Sequence, residues 1–569
     1  MVFQKKVPNL LGTPKNQFVA QALKMSSETK SGNGALKYST TGNDFLDNFA
    51  SIAKFKEPRE FSEVAKDMHL LWSQNPQLCL KLAVYIRMIT RKPKVVNKDE
   101  IEVFNVQRGQ GLKNEGIMRF LWLAINQPLT FKSNFNYFIA AGSWKDVFQM
   151  LSLDLQYHGW EKRELDWKFF NLIISAGLIN PETTDLVRKY LPTIRTNKNC
   201  KTIESQADTL IGRWLARKLF PDLEKDGACK AYRKLKSEGK AHQWQQLISN
   251  QLYTAINFDL VAGKALALLV GSKFLENHKL VDKYTNWIKE KPVAKYTGFV
   301  YELFKPLHDN QHIAEHKEFT INAQFAQLIK TGKENANTNS NFLVVRDTSG
   351  SMTSTAIGTS VSSFDVAKAM ALYFSEFLTG YFTNSFAEFA NTCVLKNWKG
   401  KTPCDKWVND NCGAYGGTNF QSVIDMFIDL KENKGVPEQD FPKGILCISD
   451  GEFYCCGTNK TTNFNRAIER LREAQFSDDF VSNFKIVLWD IPNCFYGNHE
   501  TKFEDFADAP NFFYMSGFDP SAITFLIGSE AGKSIPHTAE ELFLAAMDQD
   551  LLNKLVVITS NKKKKNKRK

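Results

Sequence analysis

Asn341-Phe-Leu-Val-Val-Arg-Asp-Thr-Ser-Gly-Ser-Met352 decides the fold of the chain's C-terminal half. The apolar run Phe342 to Val345 leads straight into Asp347, and hydroxyls follow at alternate positions, Ser349 and Ser351. A buried strand that ends in a carboxylate and a hydroxyl-rich loop gathers hard oxygen donors in one place. Such donors suit Mg²⁺ or another divalent cation, which binds oxygen at roughly 2.0–2.1 Å in the case of Mg²⁺ and keeps several waters.

Outward from this stretch the pattern is an alternation. Phe342–Val345, Phe382–Phe389, Ile445–Ile448, Phe484–Trp489 and Asn511–Met515 read as strands. Phe364–Leu378, Phe420–Leu430 and Asn463–Ala474 read as helices between them. Alternating strands and helices predict a mostly parallel sheet with helices on both faces, the doubly wound (Rossmann-like) α/β architecture. The polar run Thr331–Asn341 marks a linker before it. Upstream, from Asp44 to Lys330, apolar residues recur at three- and four-residue spacing, as in Ile117, Phe120, Leu121 and Ala124. Short breaks such as Asn126-Gln-Pro, Ala141-Gly-Ser and Asn180-Pro-Glu separate these helices. The expectation is an all-α array of helix pairs like the HEAT solenoids, which bury their faces on their neighbours. Residues 1–43 read as an extended segment laid over a surface, 342–535 as the α/β domain and 536–560 as a C-terminal helix.

The chain has 569 residues and a net charge of +12. The tail 561–569 carries seven basic residues and no apolar one, so the body holds only 12 − 7 = +5. That tail buries nothing and reads as disordered. No stretch reaches the roughly 18 apolar residues of a membrane span, and Met1-Val-Phe-Gln-Lys-Lys lacks the apolar core of a secretory signal. The expected location is cytoplasmic, with no membrane partner and the ten cysteines reduced.

Two resemblances follow from these residues. Asp347-x-Ser349-x-Ser351 resembles the metal-ion-dependent adhesion site of von Willebrand factor A domains. The resemblance implies a Thr on a second loop and an Asp at the end of a later strand. Gly416-Gly-Thr418-Asn and Ile448-Ser-Asp450-Gly-Glu-Phe supply them in the right order. Asp347, Ser349, Ser351 and Thr418 would then ligate the ion directly or through water. Asp450 would act through water or from behind, and an acidic group of a partner would fill the open position. A helical array followed by an A domain also resembles the TROVE/Ro family of RNA-binding proteins, and more closely a related group of uncharacterised proteins with the same layout. Asn33-Gly-Ala-Leu-Lys-Tyr-Ser-Thr-Thr-Gly-Asn43, Arg108-Gly-Gln-Gly-Leu-Lys-Asn-Glu115, Gly142-Ser-Trp-Lys-Asp146 and Tyr232-Arg-Lys-Leu235 carry that likeness.

The second resemblance implies a monomeric ring that binds structured or misfolded RNA without sequence preference, through basic residues of the helical region. The candidates are Arg108, Lys113, Arg119, Lys145, Arg188, Lys189, Arg195, Lys198, Lys201, Arg213, Arg217 and Lys218, which would neutralise phosphates and make affinity steeply salt-dependent. The alternative is a metal-dependent adaptor that captures an acidic protein without RNA. A catalytic reading finds no support in the residues. His308, His312 and His316 share a helical spacing, but the glutamate of His-Glu-x-x-His is missing. There is neither a Gly-x-x-x-x-Gly-Lys-Ser/Thr phosphate loop nor a Gly-x-Ser-x-Gly elbow. No catalytic residue is assigned, and the protein is expected not to be an enzyme.

Overall fold

A computed structural model describes residues 23–31, 33–51, 59–97, 100–196, 200–238, 243–296, 298–308, 313–335, 341–356, 359–410, 412, 415–456, 461–491, 502–516 and 536–558. A large helical region is followed by a mixed α/β region with a central sheet. Among the described residues, no helix is long and apolar enough to cross a membrane, and the cysteines are free thiols.

The strands are β1 (Glu28–Lys30), β2 (Leu36–Tyr38), β3 (Lys94–Val96), β4 (Ile101–Val103), β5 (Phe342–Asp347), β6 (Ser385–Phe389), β7 (Cys393–Asn397), β8 (Gly444–Ser449), β9 (Lys485–Asp490) and β10 (Phe512–Ser516). The last six form one sheet in the order β10-β9-β8-β5-β6-β7. All its pairings are parallel except β6 with β7. From β5 the chain moves to one side, through β6 and β7, then returns to the other side through β8 and β9. The switch point therefore lies between β5 and β8, where open α/β sheets bind ligands beyond the carboxyl ends of their strands. β5, β8 and β9 are buried along their whole length, as strands covered on both faces must be.

Strand alternation divides the sheet residues between two cores. Val344, Leu446, Ile448, Val487, Trp489 and Phe513 meet Ala367, Met370 and Phe374 of helix Ser363–Ser375. Phe304 and Phe325, from helices Val300–Phe304 and Glu315–Asn335, enter the same core. Helices Gln421–Glu432 and Asn463–Glu473 pack on each other, and Phe420 joins Phe389, Phe453 and Phe464 in an aromatic cluster.

By contacts the chain divides into a sheet unit, residues 1–59 and 258–548, and a helical unit, residues 60–257 and 549–569. This grouping differs from a linear division at residues 331–341. Helices after 258 share the core of the sheet, and the described segments 23–51 and 549–558 are each laid into a unit remote in sequence. The N-terminal segment is a hairpin, β1 with β2, and Tyr38 bridges to Phe503. Beyond helices Ala539–Met547 and Asp550–Asn553 the C-terminal stretch runs without helix to Ile558, where a single helix was expected.

The helical unit is built from successive helices, among them Phe61–Gln74, Pro76–Arg87, Lys113–Asn126, Trp144–His158, Trp167–Ile179, Ile203–Leu219 and Lys225–Ser237. Proline at the first helical position starts the helices at Pro76 and Pro128, where the missing N–H has no partner to lose. The hairpin β3–β4 interrupts the array, a feature that the helical periodicity on either side masked.

Candidate metal centre

Asp347 is the last residue of β5 and is completely buried. Its Oδ1 accepts the Ser349 backbone N–H at 2.8 Å. Its Oδ2 accepts the Ser449 hydroxyl at 2.5 Å. Ser449 closes β8, so this bond ties the carboxyl ends of the two strands that flank the switch point. Ser349 and Ser351 lie 3.2 Å apart, Oγ to Oγ. Thr418 follows the Gly-Gly turn and is buried, and its carbonyl accepts the Tyr454 N–H at 2.8 Å. Gly350 N–H reaches the Gly416 carbonyl at 3.4 Å. Thus hydrogen bonds join all three loops, and the five residues expected from the sequence sit on loops held together at one end of the sheet.

Burial, and then the neighbouring charge of Asp450, push the Asp347 carboxyl up to about 7. Desolvation and the nearby negative charge both disfavour the ionised form of Asp347. A divalent cation held there would favour the ionised form of Asp347. The donor set is two carboxylates and three hydroxyls, all oxygen, which suits a hard cation. Among the described residues there is no group of three or more His, Cys, Asp or Glu able to hold a metal. The five candidate ligands are instead a hydroxyl-rich, all-oxygen set, whose chemistry would suit Mg²⁺.

Close packing dictates the glycines of the second loop. A Cβ on Gly417 would fall 2.0 Å from the Tyr454 ring. Gly416 has φ +157 and its Cβ would meet the Asn391 amide at 2.5 Å. Asn391 itself accepts the Gly417 N–H at 3.0 Å and, through its carbonyl, the Asn419 amide at 3.2 Å.

The third loop is held by the N-terminal segment. Asn33 donates to the Glu452 carbonyl at 2.6 Å and Ser31 to the Phe453 carbonyl at 2.7 Å. Gly34 bridges to Tyr454. Lys37 is buried, ion-paired with the buried Glu504, and its Nζ lies 4.5 Å from the centre of the Phe453 ring. Ser449, Asn391 and Lys37 were missed in the sequence. Ser449 stands beside Asp450 and was legible as a hydroxyl at a strand end. Nothing local marks Lys37, whose partner lies hundreds of residues away.

The basic residues of the helical unit divide sharply. Arg119 is completely buried and its guanidinium Nε donates to Glu115 at 3.0 Å. Arg108 is buried, and its backbone N–H and carbonyl bond the Gln549 side chain at 2.7 and 3.0 Å. Burial removes both from a phosphate-binding surface, which corrects the expectation for them. The Arg108-Gly-Gln-Gly stretch instead seats the C-terminal segment, whose Leu551 N–H also binds Gln107 at 3.0 Å. Arg195 pairs with Asp208 at 3.2 Å. Lys198 lies outside the described residues. Lys145, Lys201, Arg217 and Lys218 are exposed, and Lys113, Arg188, Lys189 and Arg213 are half-buried. Burial, then the nearby Lys145, hold the Lys113 amine down at about 8. Asp146 of Gly142-Ser-Trp-Lys-Asp146 caps helix Trp144–His158 together with Ser143 and pairs with Arg87 at 2.7 Å. Tyr232 donates to the Pro192 carbonyl at 2.9 Å. These motifs hold the fold.

His308 and His316 stand on separate described elements. His308 follows the short turn Lys305–Leu307, His316 lies in helix Glu315–Asn335, and His312 is outside the described residues.

A search among curated proteins finds no match to the chain. Residues 341–568, which contain all five candidate metal ligands, match the model of a family described as a domain of unknown function (DUF7788).

Proposed function

We propose that the sheet unit is a von Willebrand factor A-like module that binds Mg²⁺ through Asp347, Ser349, Ser351, Thr418 and Asp450. Its open coordination position captures an acidic group of a protein partner. What supports this reading is the Asp347 carboxylate, buried at the end of β5 within the influence of Asp450 and bonded to the Ser349 N–H and the Ser449 hydroxyl, on loops that hydrogen bonds tie together. A cation with a vacant position binds a carboxylate oxygen readily, and nothing in the donor set asks for chemistry beyond that. The test is calorimetric titration of the full chain with Mg²⁺, followed by capture of a peptide rich in Asp and Glu with and without chelator. Saturable Mg²⁺ binding with chelator-sensitive capture supports the reading. Absence of Mg²⁺ binding refutes it.

A second reading concerns the helical unit, as an RNA-binding array of the TROVE/Ro type. The exposed Lys145, Lys201, Arg217 and Lys218 favour it. Affinity for structured RNA that falls steeply between two salt concentrations, in a chain ending at Ser560, supports it. Binding that disappears with the basic tail places RNA on the tail and removes the array from consideration.

A further inference from the structure

The sheet unit contains a cavity of about 1020 Å³. Its size lies at the top of the range of small-molecule sites, roughly 300–1,000 Å³. Four pieces of chain wall it: helix Gly263–Gly271, helix Val300–Phe304 with the turn Lys305–Leu307 that follows, the start of helix Glu315–Asn335, and the stretch at Thr359 and Ser360. Ala267, Leu268, Pro306 and Ile313 give it an aliphatic lining. Leu268 is 68% exposed, so this lining is open to a ligand. Tyr296 and Tyr301 are buried, and Tyr301 already stacks on Phe299 with 5.9 Å between ring centres. The lining therefore favours a flexible chain over a flat base.

Lys264, Lys305 and Lys317 line the cavity against a single glutamate, Glu302. Lys264 Nζ bonds Glu302 Oε1 at 2.7 Å, from one helix to the next. Lys317 Nζ pairs with Glu276 at 3.2 Å. Both of these charges are therefore compensated. Lys305 differs. Its Nζ donates to the Ser360 hydroxyl at 2.7 Å, and among the described residues it has no carboxylate partner. Lys305 and Ser360 both line the cavity and both are exposed. An ammonium that donates to one hydroxyl keeps two N–H groups, and the hydroxyl keeps its own O–H. Two donors 2.7 Å apart on one wall can close on a single acceptor oxygen.

We propose that this cavity binds an amphipathic anion, a single carboxylate or phosphate group at the end of an aliphatic chain. The anionic oxygen accepts from Lys305 Nζ and the Ser360 hydroxyl, and the chain lies on Ala267, Leu268, Pro306 and Ile313. One uncompensated cation calls for one anionic group, and hydrogen bonds between charged partners are the strong ones. The site is separate from the metal centre, because none of the five candidate metal ligands lines the cavity.

The test is calorimetric titration of the full chain, in the presence of chelator, with decanoate, decyl phosphate and decyltrimethylammonium, each kept below the concentration at which it forms micelles. Saturable binding of at least one of the two anions, tighter than about 1 mM, is expected, with no such binding of the cation; which anion binds tells carboxylate from phosphate. Lys305→Met keeps an unbranched side chain and removes the charge, and should weaken binding about tenfold or more. Ser360→Ala removes one hydroxyl and should weaken it about threefold. Both side chains are exposed, and melting temperatures confirm that the variants fold. Equal binding of the cation, no binding of either anion, or an affinity unchanged in the folded Lys305→Met variant overturns the proposal.

Discussion

At the scale of single residues, the proposed metal centre depends on a few oxygens and on what supports them. Asp347→Ala should lower Mg²⁺ affinity by more than the roughly 10–100-fold that loss of an outer partner costs. Ser449→Ala, which removes only the hydroxyl on Asp347 Oδ2, should lie within that range, and calorimetry on both variants checks the order. Lys113 offers a pH signature. Its amine is held at about 8 against an ordinary 10.5, by burial and then by Lys145. The folded chain therefore binds this proton less tightly than the unfolded chain. The stability lost to that side chain below about 8 is regained as pH rises towards 10.5. At pH 8 the neutral amine should react with acylating reagents ahead of the exposed lysines, and Lys145→Ala should slow it. Quantitative peptide mapping after brief labelling measures both effects, and equal labelling of Lys113 and the exposed lysines would refute the assignment.

At the scale of elements, β5 joins function to stability. The residue before the candidate ligand, Arg346, is completely buried between Glu388 at 2.8 Å and Asp410 at 2.6 Å. Arg346→Met leaves these carboxylates short of a cation and should destabilise the sheet unit by about 3–5 kcal/mol, read as an earlier thermal transition. The strands β5, β8, β9 and β10 and their intervening helices were legible because buried parallel strands are continuous apolar runs. The loops carrying Asp347 and Asp450 were legible for the same reason, since each is anchored to such a run, whereas Thr418 was legible from the Gly-Gly turn before the amphipathic helix Gln421–Glu432. β7 was not. Cys393-Val-Leu-Lys-Asn397 is a half-exposed edge strand, and its pairing with β6 comes from a hairpin turn that no hydrophobic pattern announces. The basic candidates were the least legible of all. A sequence gives a charge but not its burial, so Arg119, sunk in the helical core, looked the same as the exposed Arg217.

At the scale of the whole molecule, each unit is completed by a chain end. In the helical unit Asn134 exchanges hydrogen bonds with Val556 at 2.6 and 2.9 Å, and Gln77 donates to the Leu555 carbonyl at 2.8 Å. A chain ending at Asp548 should lower the melting of the helical unit and leave Mg²⁺ affinity unchanged. Calorimetric scanning with a parallel Mg²⁺ titration separates the two. In the sheet unit the corresponding tie is Lys37 with Glu504, both buried. These residues are 504 − 37 = 467 positions apart. At the roughly 5–20 residues per second of protein synthesis, Lys37 leaves the ribosome on the order of half a minute or more before its partner exists. A segment made early is thus seated late, and until then its hairpin, the loop beyond Asp450 and the carboxylate of Glu504 all wait on the same event.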